Sequence, residues 1–280
     1  MKQQRQNMIY DFINEREVVK TTELMERFNI SKATLNRDMT ELEKEGKIYK
    51  VHGGAASQKA IFTYEPIQDE KENAQQEYKK AIANAAMDYV KRYASFIFDS
   101  GTSVLALAKA VSKDSTVGSR IVITNDLKVG MVLADKPEID LYVLGGRKRT
   151  GLYSLGGNFA SQMIQGVNAD VYFMGVDAFD LEHGISNVNF DEVGMKQNMM
   201  RAAQKIVLLA DYTKFNRYKI AKICDLCDID VLITDDRMKE EELNKIKQIV
   251  DTVIVADGGN TDGGTGQADR DGDFSEEEIS

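Results

Sequence analysis

The run Asp99-Ser100-Gly101-Thr102 stands between an apolar segment, SFIF, and a helix-like one, VLALAKAV. A glycine between two hydroxyl side chains at a strand-to-helix turn brings backbone amides close to an anion, and the dipole of the following helix favours negative charge there. Taken singly, such a turn is also what an ordinary helix start looks like. Further polar groups follow the other apolar runs: Thr124 and Asn125 after RIVI, Gly145 and Gly146 after LYVL, Asp177 after YFMGV, and Lys214 after LLADYT. Several such groups at successive strand ends suit a phosphorylated sugar effector, with amides and cations for the phosphate and polar side chains for the hydroxyls.

A second constellation lies in SKATLNRDMTELEKEG, where Lys32, Thr34, Asn36 and Arg37 crowd the first turns and Glu41, Glu43 and Glu45 come later. Arginine pairs bidentately with guanine and asparagine with adenine, each worth roughly 1–3 kcal/mol of discrimination. Thr34 suits a phosphate or a thymine methyl. The segment KIYKVHGGA follows, and its Lys50, His52 and Gly53 make a short basic wing whose glycines let backbone approach phosphate. The partner implied is double-stranded operator DNA.

The elements that must hold these groups can be read from periodicity. Ile9, Phe12 and Ile13 share one helical face. A break follows over Asn14 to Lys20, and Thr21 or Thr22 can cap a second helix with Leu24 and Phe28 on one face. Asn29-Ile30 is the turn, and Ser31 caps a third helix with Leu35, Met39 and Leu42 inward, closing at Gly46. Residues 1–56 therefore read as a winged helix-turn-helix, whose third helix presents its N-terminal side chains to the major groove. Residues 57–74, polar and containing Pro66, read as a linker. A helix from Gln75 to Arg92 opens a second domain, 75–256, in which β-rich runs alternate with helices, including a long one from Asp191 to Gln204. That alternation predicts a mostly parallel α/β sheet with its ligand at the strand ends. Residues 257–280 are Gly- and acid-rich and are expected to be a disordered tail.

Composition agrees with two domains: 280 residues, 42% of them hydrophobic. The net charge of −9 at first opposes nucleic acid. Most of it lies in the tail, whose eight acids and one Arg leave the remainder close to neutral, while residues 1–60 carry eleven bases against nine acids. The N-terminal MKQQRQNMIY is polar where a signal peptide needs an apolar run, and no stretch of about 18 apolar residues could span a bilayer. A cytoplasmic, nucleoid-associated protein with no membrane partner is expected. Cys224 and Cys227, three residues apart, read as neighbours along a helix rather than a disulfide framework. They supply only two of the four ligands tetrahedral zinc needs, and Asp269 to Asp273 lacks the glycine and terminal Glu of a calcium loop. No metal and no cofactor are expected.

The stretch TTELMERFNISKATLNRDMTELEKEGKIYKVHGGA resembles the N-terminal signature of the DeoR family of bacterial sugar-metabolism repressors, through Thr34, Arg37, Asp38, His52, Gly53 and Gly54. Asn36 departs from the pattern, because the family usually carries Arg or His there; the change shifts base preference from guanine toward adenine. The resemblance extends to about residue 256 through the HGGA, DSGT and ADYTK runs. It implies a sensor domain of the ribose-5-phosphate-isomerase-like type, with Asp99, Ser100, Gly101, Thr102, Asn125, Asp177 and Lys214 matching the effector pattern and Glu192 and Lys196 as further candidates. It also implies a homo-oligomer and repression relieved by the effector. The alternative is a phosphosugar isomerase-like enzyme, with Asp177, Glu192 or Lys214 as acid or base; the DNA module, which an isomerase does not need, speaks against it.

Overall fold

A computed structural model describes residues 2–51, 53–58, 60 and 68–258. His52, Pro66 with most of the 57–74 stretch before Gln68, and the tail from residue 259 lie outside the described residues.

The N-terminal unit opens with α1 (Lys2–Arg16), then β1 (Val18–Lys20), α2 (Thr21–Phe28), α3 (Lys32–Lys44), β2 (Ile48–Val51) and β3 (Gly54–Ser57). Ile9, Ile13, Leu24, Leu35, Met39 and Leu42 fall into one buried cluster with Val19, Ile48 and Ala55, which is the expected inward face of each helix. Ser31 caps α3 by accepting from the Thr34 amide at 3.3 Å. Two local expectations fail. The supposed break contains β1, which forms a three-stranded antiparallel sheet in the order β1-β3-β2, so the wing borrows a strand from before the recognition helices. Neither threonine caps α2: Lys20 occupies the N-cap with no side-chain bond, and the Thr21 amide donates instead to the Gly53 carbonyl at 2.7 Å.

The second unit begins with α4 (Gln68–Asn73) and α5 (Gln76–Arg92) and continues through β4 (Ser95–Phe98), α6 (Thr102–Lys113), β5 (Arg120–Thr124), α7 (Leu127–Leu133) and β6 (Ile139–Val143). A hairpin of β7 (Arg147–Lys148) and β8 (Leu155–Gly156) leads to α8 (Asn158–Ile164), β9 (Ala169–Met174), β10 (Ala178–Asp180) and β11 (Gly184–Asn187). The chain then forms α9 (Phe190–Arg201), β12 (Ala203–Leu209), β13 (Ala221–Cys224), β14 (Val231–Asp235), α10 (Glu240–Ile246) and β15 (Thr252–Ala256). Seven strands make one parallel sheet in the order β15-β14-β12-β9-β4-β5-β6, and β10, β11 and β13 make a small antiparallel sheet beside it.

Alternation along the parallel strands splits the core in two, as a period of two requires. Phe96, Phe98, Val171 and Phe173 face α5, α6 and α7, whereas Ile97, Tyr172 and Met174 face the layer holding α8, α9 and the small sheet. The strands are apolar on both faces, which is why they read as continuous hydrophobic runs.

Three boundaries differ from the sequence reading. The 57–74 stretch is not all linker, since Ser57 ends β3 and residues 68–73 form α4, bonded to the sensor unit. The long helix stops at Arg201, because Ala203 and Gln204 join β12 and the Ala169 amide takes the Ala202 carbonyl. Cys224 ends β13 while Cys227 lies in a 3-10 turn (Leu226–Asp228), so the two do not share a helix. Burial, reinforced by Asp228 and Asp225, pushes the Cys224 thiol up to about 12, which removes it from thiolate chemistry.

Candidate functional site

In the parallel sheet, the chain moves from β4 through β5 to β6 on one side, and from β9 through β12 and β14 to β15 on the other. Strands β4 and β9 are hydrogen-bonded neighbours whose following connections leave in opposite directions. A crevice must open beyond the carboxyl ends of two such strands, and ligands of open α/β sheets bind there. Two adjoining cavities, of about 210 and 60 Å³, occupy this crevice and share Ser100, Ser154, Glu192 and Lys196 on their walls.

The loop after β4 is held from below. Asp99 is fully buried, and its carboxylate accepts from the Ser100 amide (2.8 Å), the Tyr172 hydroxyl (2.9 Å), the Gly175 amide (3.1 Å) and the Lys196 ammonium. Lys196, 2% exposed, also donates to the Gly175 carbonyl at 2.7 Å. Burial pushes the Asp99 carboxyl up against the opposing pull of Lys196. These two residues bolt the β4 and β9 loops together, and their polar atoms are spent on each other rather than offered to a ligand. Gly175 is required for the same junction, because a Cβ there would lie 2.9 Å from the Ser100 carbonyl oxygen.

Above the bolt, Gly101 takes φ +134°, a conformation that favours glycine, and starts α6 with no side-chain cap bond. Thr102 and Ser103 of α6 line the smaller cavity with Ser100, Asp177 and Lys214. Asp177 follows β9; its carboxylate accepts from Lys71 at 2.8 Å and from the Val188 amide at 3.2 Å. Burial pushes that carboxyl up, but Lys71 and Lys214 outweigh it and hold it well below the usual carboxylate range. Lys214 is placed by a 3-10 turn (Tyr212–Lys214) capped by Asp211, which accepts from the Thr213 amide at 3.0 Å. Lys219 is close enough to feel Asp177 and Lys214; burial pushes its ammonium down to about 8.

The larger cavity has a different character. Asn125 is 4% exposed; its amide nitrogen donates to the Leu155 carbonyl at 3.3 Å, which leaves Oδ1 buried on the cavity wall with no partner. An orphaned acceptor of this kind costs about 1–3 kcal/mol until a donor arrives, and a ligand hydroxyl is such a donor. Arg147, Arg149, Ser154, Gly156 and Gly157 close the other side, and Arg149 is paired with Glu192, whose second oxygen accepts from Asn187 at 2.6 Å.

The crevice thus gathers Asp99, Ser100, Gly101, Thr102, Asn125, Asp177, Glu192, Lys196 and Lys214. Three expected residues do not line it. Thr124 is wholly buried, with its hydroxyl accepting from the Asp126 amide at 3.1 Å; Gly145 donates to the Met163 sulfur at 3.2 Å; and Gly146 packs against the Gly156 carbonyl. They end strands without facing the opening. Sequence reasoning passed over the β7–β8 hairpin, although Arg147-Lys148-Arg149 after two glycines was a visible basic cluster. It also passed over Gln68 and Lys71, whose polar surroundings carried no signal.

In the N-terminal unit, Lys32, Asn36 and Arg37 are exposed near the start of α3, whereas Thr34 is half-buried with its hydroxyl 3.0 Å from that of Ser31. The buried Asp38 carboxylate accepts two bonds from Arg5, at 2.6 and 3.1 Å, and ties α3 to α1. The acids that crowd the end of α3 are engaged internally: Glu41 with Lys2 and Gln6, Glu43 with the Lys50 amide, Glu45 with Lys47. Lys50 leans on α3, donating to Thr40 at 3.1 Å. Gly53 turns the wing at φ +74°, and Gly54 packs on β1, where a Cβ would stand 2.1 Å from the Val19 carbonyl oxygen. Both glycines are accounted for by wing folding.

Comparison with known proteins agrees in both units. Residues 5–60 match the model of the DeoR-like helix-turn-helix domain, and residues 74–236 match that of the DeoR C terminal sensor domain. The chain is 29% identical over 256 residues to a putative aga operon transcriptional repressor of Escherichia coli, covering 91% of this chain and 94% of that one. It is 30% identical over 251 residues to the HTH-type transcriptional regulator GlpR of Haloferax volcanii, covering 90% and 96%. Among solved structures, ribose 5 phosphate isomerase A from Neisseria gonorrhoeae aligns at a TM-score of 0.35 and 19% identity over 54% of this chain and 56% of that one, a likeness that carries no argument. With both units matched and relatives aligned over nine-tenths of its length, the chain belongs to the DeoR family of DNA-binding transcriptional regulators.

Proposed function

We propose that this regulator represses a sugar-metabolism operon and is released by a phosphorylated sugar held in the crevice between β4 and β9. The phosphate sits at the uncapped start of α6, on Ser100, Gly101 and Thr102, with Lys214 beside it. The sugar hydroxyls extend into the larger cavity toward Asn125, Arg149 and Glu192. The observation that carries this reading is the orphaned Asn125 Oδ1 on a cavity wall continuous with a cationic one. The DNA-binding unit spans residues 1–56, the sensor 75–256 and the acidic tail 257–280, and the protein works on the nucleoid in the cytoplasm. Names among the relatives support a sugar operon: the aga repressor already cited and a glycerol-3-phosphate regulon repressor of Escherichia coli, 28% identical over 236 residues.

The test is a thermal-shift screen of phosphorylated against free sugars, since a ligand bound only by the folded state raises the melting temperature. A screen in which no phosphorylated sugar shifts the transition defeats the reading. With an effector in hand, Lys214→Ala is expected to abolish effector-induced release in a gel-shift assay while operator binding itself is retained; release at unchanged effector concentration counts against this placement.

Paired half-sites call for a dimer. The sheet ends at β6, which pairs only with β5, and Tyr142 on β6 is 52% exposed. Ile121 on β5 and Phe159 and Met163 on α8 extend the exposed apolar surface around it. A free strand edge within such a patch is a site for self-association, here with a second copy of the chain. Changing Tyr142→Glu together with Phe159→Glu is expected to convert the dimer to monomer in sedimentation; an unaltered mass places the interface elsewhere.

A further inference from the structure

Helix α4 joins the DNA-binding unit to the sensor, with residues 58–67 between β3 and its first residue. It is nonetheless built into the crevice. Gln68, 3% exposed, donates through its backbone to the Gly151 carbonyl (3.0 Å) and through its side chain to Asp126 (3.2 Å), and its side-chain oxygen accepts from the Tyr153 amide (3.0 Å). One buried side chain thus connects α4 to the loop between β7 and β8 and to the cap of α7. Asp69 and Glu72 pair with Lys128, Glu72 also pairs with Lys109, and Lys79 of α5 donates to the Lys71 and Ala74 carbonyls at 2.5 and 2.6 Å. The remaining polar contact of α4, that of Lys71, points into the smaller cavity, where it meets Asp177.

The charges around that cavity do not balance. Lys196 is matched by Asp99 and Arg149 by Glu192, whereas Lys71, Lys214 and Lys219 share the single carboxylate of Asp177. The surplus is two positive charges, which is the charge of a phosphate monoester dianion. A dianion at the start of α6 competes directly with Asp177 for Lys71, and charge-assisted bonds to phosphate oxygens are strong enough to win that exchange.

We propose that Lys71 is a phosphate ligand, and that its transfer from Asp177 to the bound anion shifts α4 and thereby carries the state of the crevice to the DNA-binding unit. The inference rests on the crevice being the effector site and adds to it the route of regulation. Two arrangements of one side chain, each favoured by one occupancy of the site, are what a coupling between two sites requires; by linkage, operator binding must then oppose phosphate binding by the same factor. Gln68 makes the shift collective, since α4 cannot move without the 149–153 loop that closes the larger cavity.

Inorganic phosphate is a sufficient probe, with the full chain. Phosphate is expected to raise the melting temperature of the unaltered protein and to change amide hydrogen exchange over residues 68–73 and 149–153 and within residues 2–57. In Lys71→Met, half-saturation is expected at roughly tenfold higher phosphate, the loss of one charge-assisted contact, and the change within residues 2–57 is lost. Lys71→Arg keeps the charge and is expected to restore both. A phosphate response in Lys71→Met equal to that of the unaltered protein overturns the inference and leaves the crevice reading standing. Should Lys71→Met fail to fold, the unaltered protein decides: stabilisation by phosphate with no exchange change over 68–73 overturns it. Absence of any phosphate effect on the unaltered protein overturns the inference and the crevice reading together.

Discussion

Lys196→Met is expected to destabilise the sensor unit by about 3–5 kcal/mol, the cost of leaving a buried charge without its partner. For a domain of this size that lowers the melting temperature on the order of 10 °C. The reason is specific to the bolt beneath the crevice: Asp99 is wholly buried and Lys196 nearly so, and Lys196 also holds the Gly175 carbonyl, so its removal strands a carboxylate and frees the β9 loop together. The defect has a pH signature. Burial raises the Asp99 carboxyl in the folded protein, and loss of Lys196 raises it further. A carboxyl whose folded value lies above its unfolded value binds protons preferentially when folded, so stability falls as pH rises through the window between the two. The deficit of Lys196→Met is therefore expected to be larger at pH 7.5 than at pH 5 in paired denaturant titrations. A deficit that is small, or that grows on acidification, shows that the pair does not carry this load.

Arg37→Ala is expected to weaken binding to the protein's own operator by roughly 10- to 100-fold, corresponding to about 1–3 kcal/mol for one bidentate base contact. Binding to unrelated duplex changes much less. Lys32→Ala, removing a cation suited to phosphate, lowers affinity for all sequences together and reduces the salt slope by about one. Both side chains are exposed at the start of α3, and the acids of that helix are already paired within the protein, so the presented edge is donor-rich despite the acidic total. Operators recovered by selection from genomic fragments, followed by anisotropy titration at several salt concentrations, supply the measurement. Equal losses on all duplexes in Arg37→Ala remove it from base readout.

The pattern of the helix-turn-helix was open to reading because its information is local. Leu35, Met39 and Leu42 repeat at helical spacing, and Ser31 advertises a cap three residues ahead of the amide it takes. Asp38 matched a family pattern without a stated job; in the structure it is the buried anchor of Arg5 on α1, a contact across thirty-three residues that no spacing rule reveals. The same limit explains the misreading of Asn14 to Lys20. Three residues cannot declare themselves a strand, and β1 exists because β3 pairs with it.

For the sensor unit, sequence determined the strand and helix alternation, the polar groups at the strand ends and hence the end of the sheet where a ligand belongs, since each is written within a dozen residues. Tertiary structure decided which strand ends face one another. Strand order makes β4 and β9 neighbours, and so Asp99, Ser100, Asp177 and Lys196 meet while Thr124, Gly145 and Gly146 turn away. It also decided that Asp99 and Lys196 lie beneath the crevice, and that a helix taken for linker supplies Gln68 and Lys71 to its wall. Burial and charge balance are properties of what packs against a residue, and in this fold those partners come from segments up to 106 positions apart, the separation of Lys71 and Asp177.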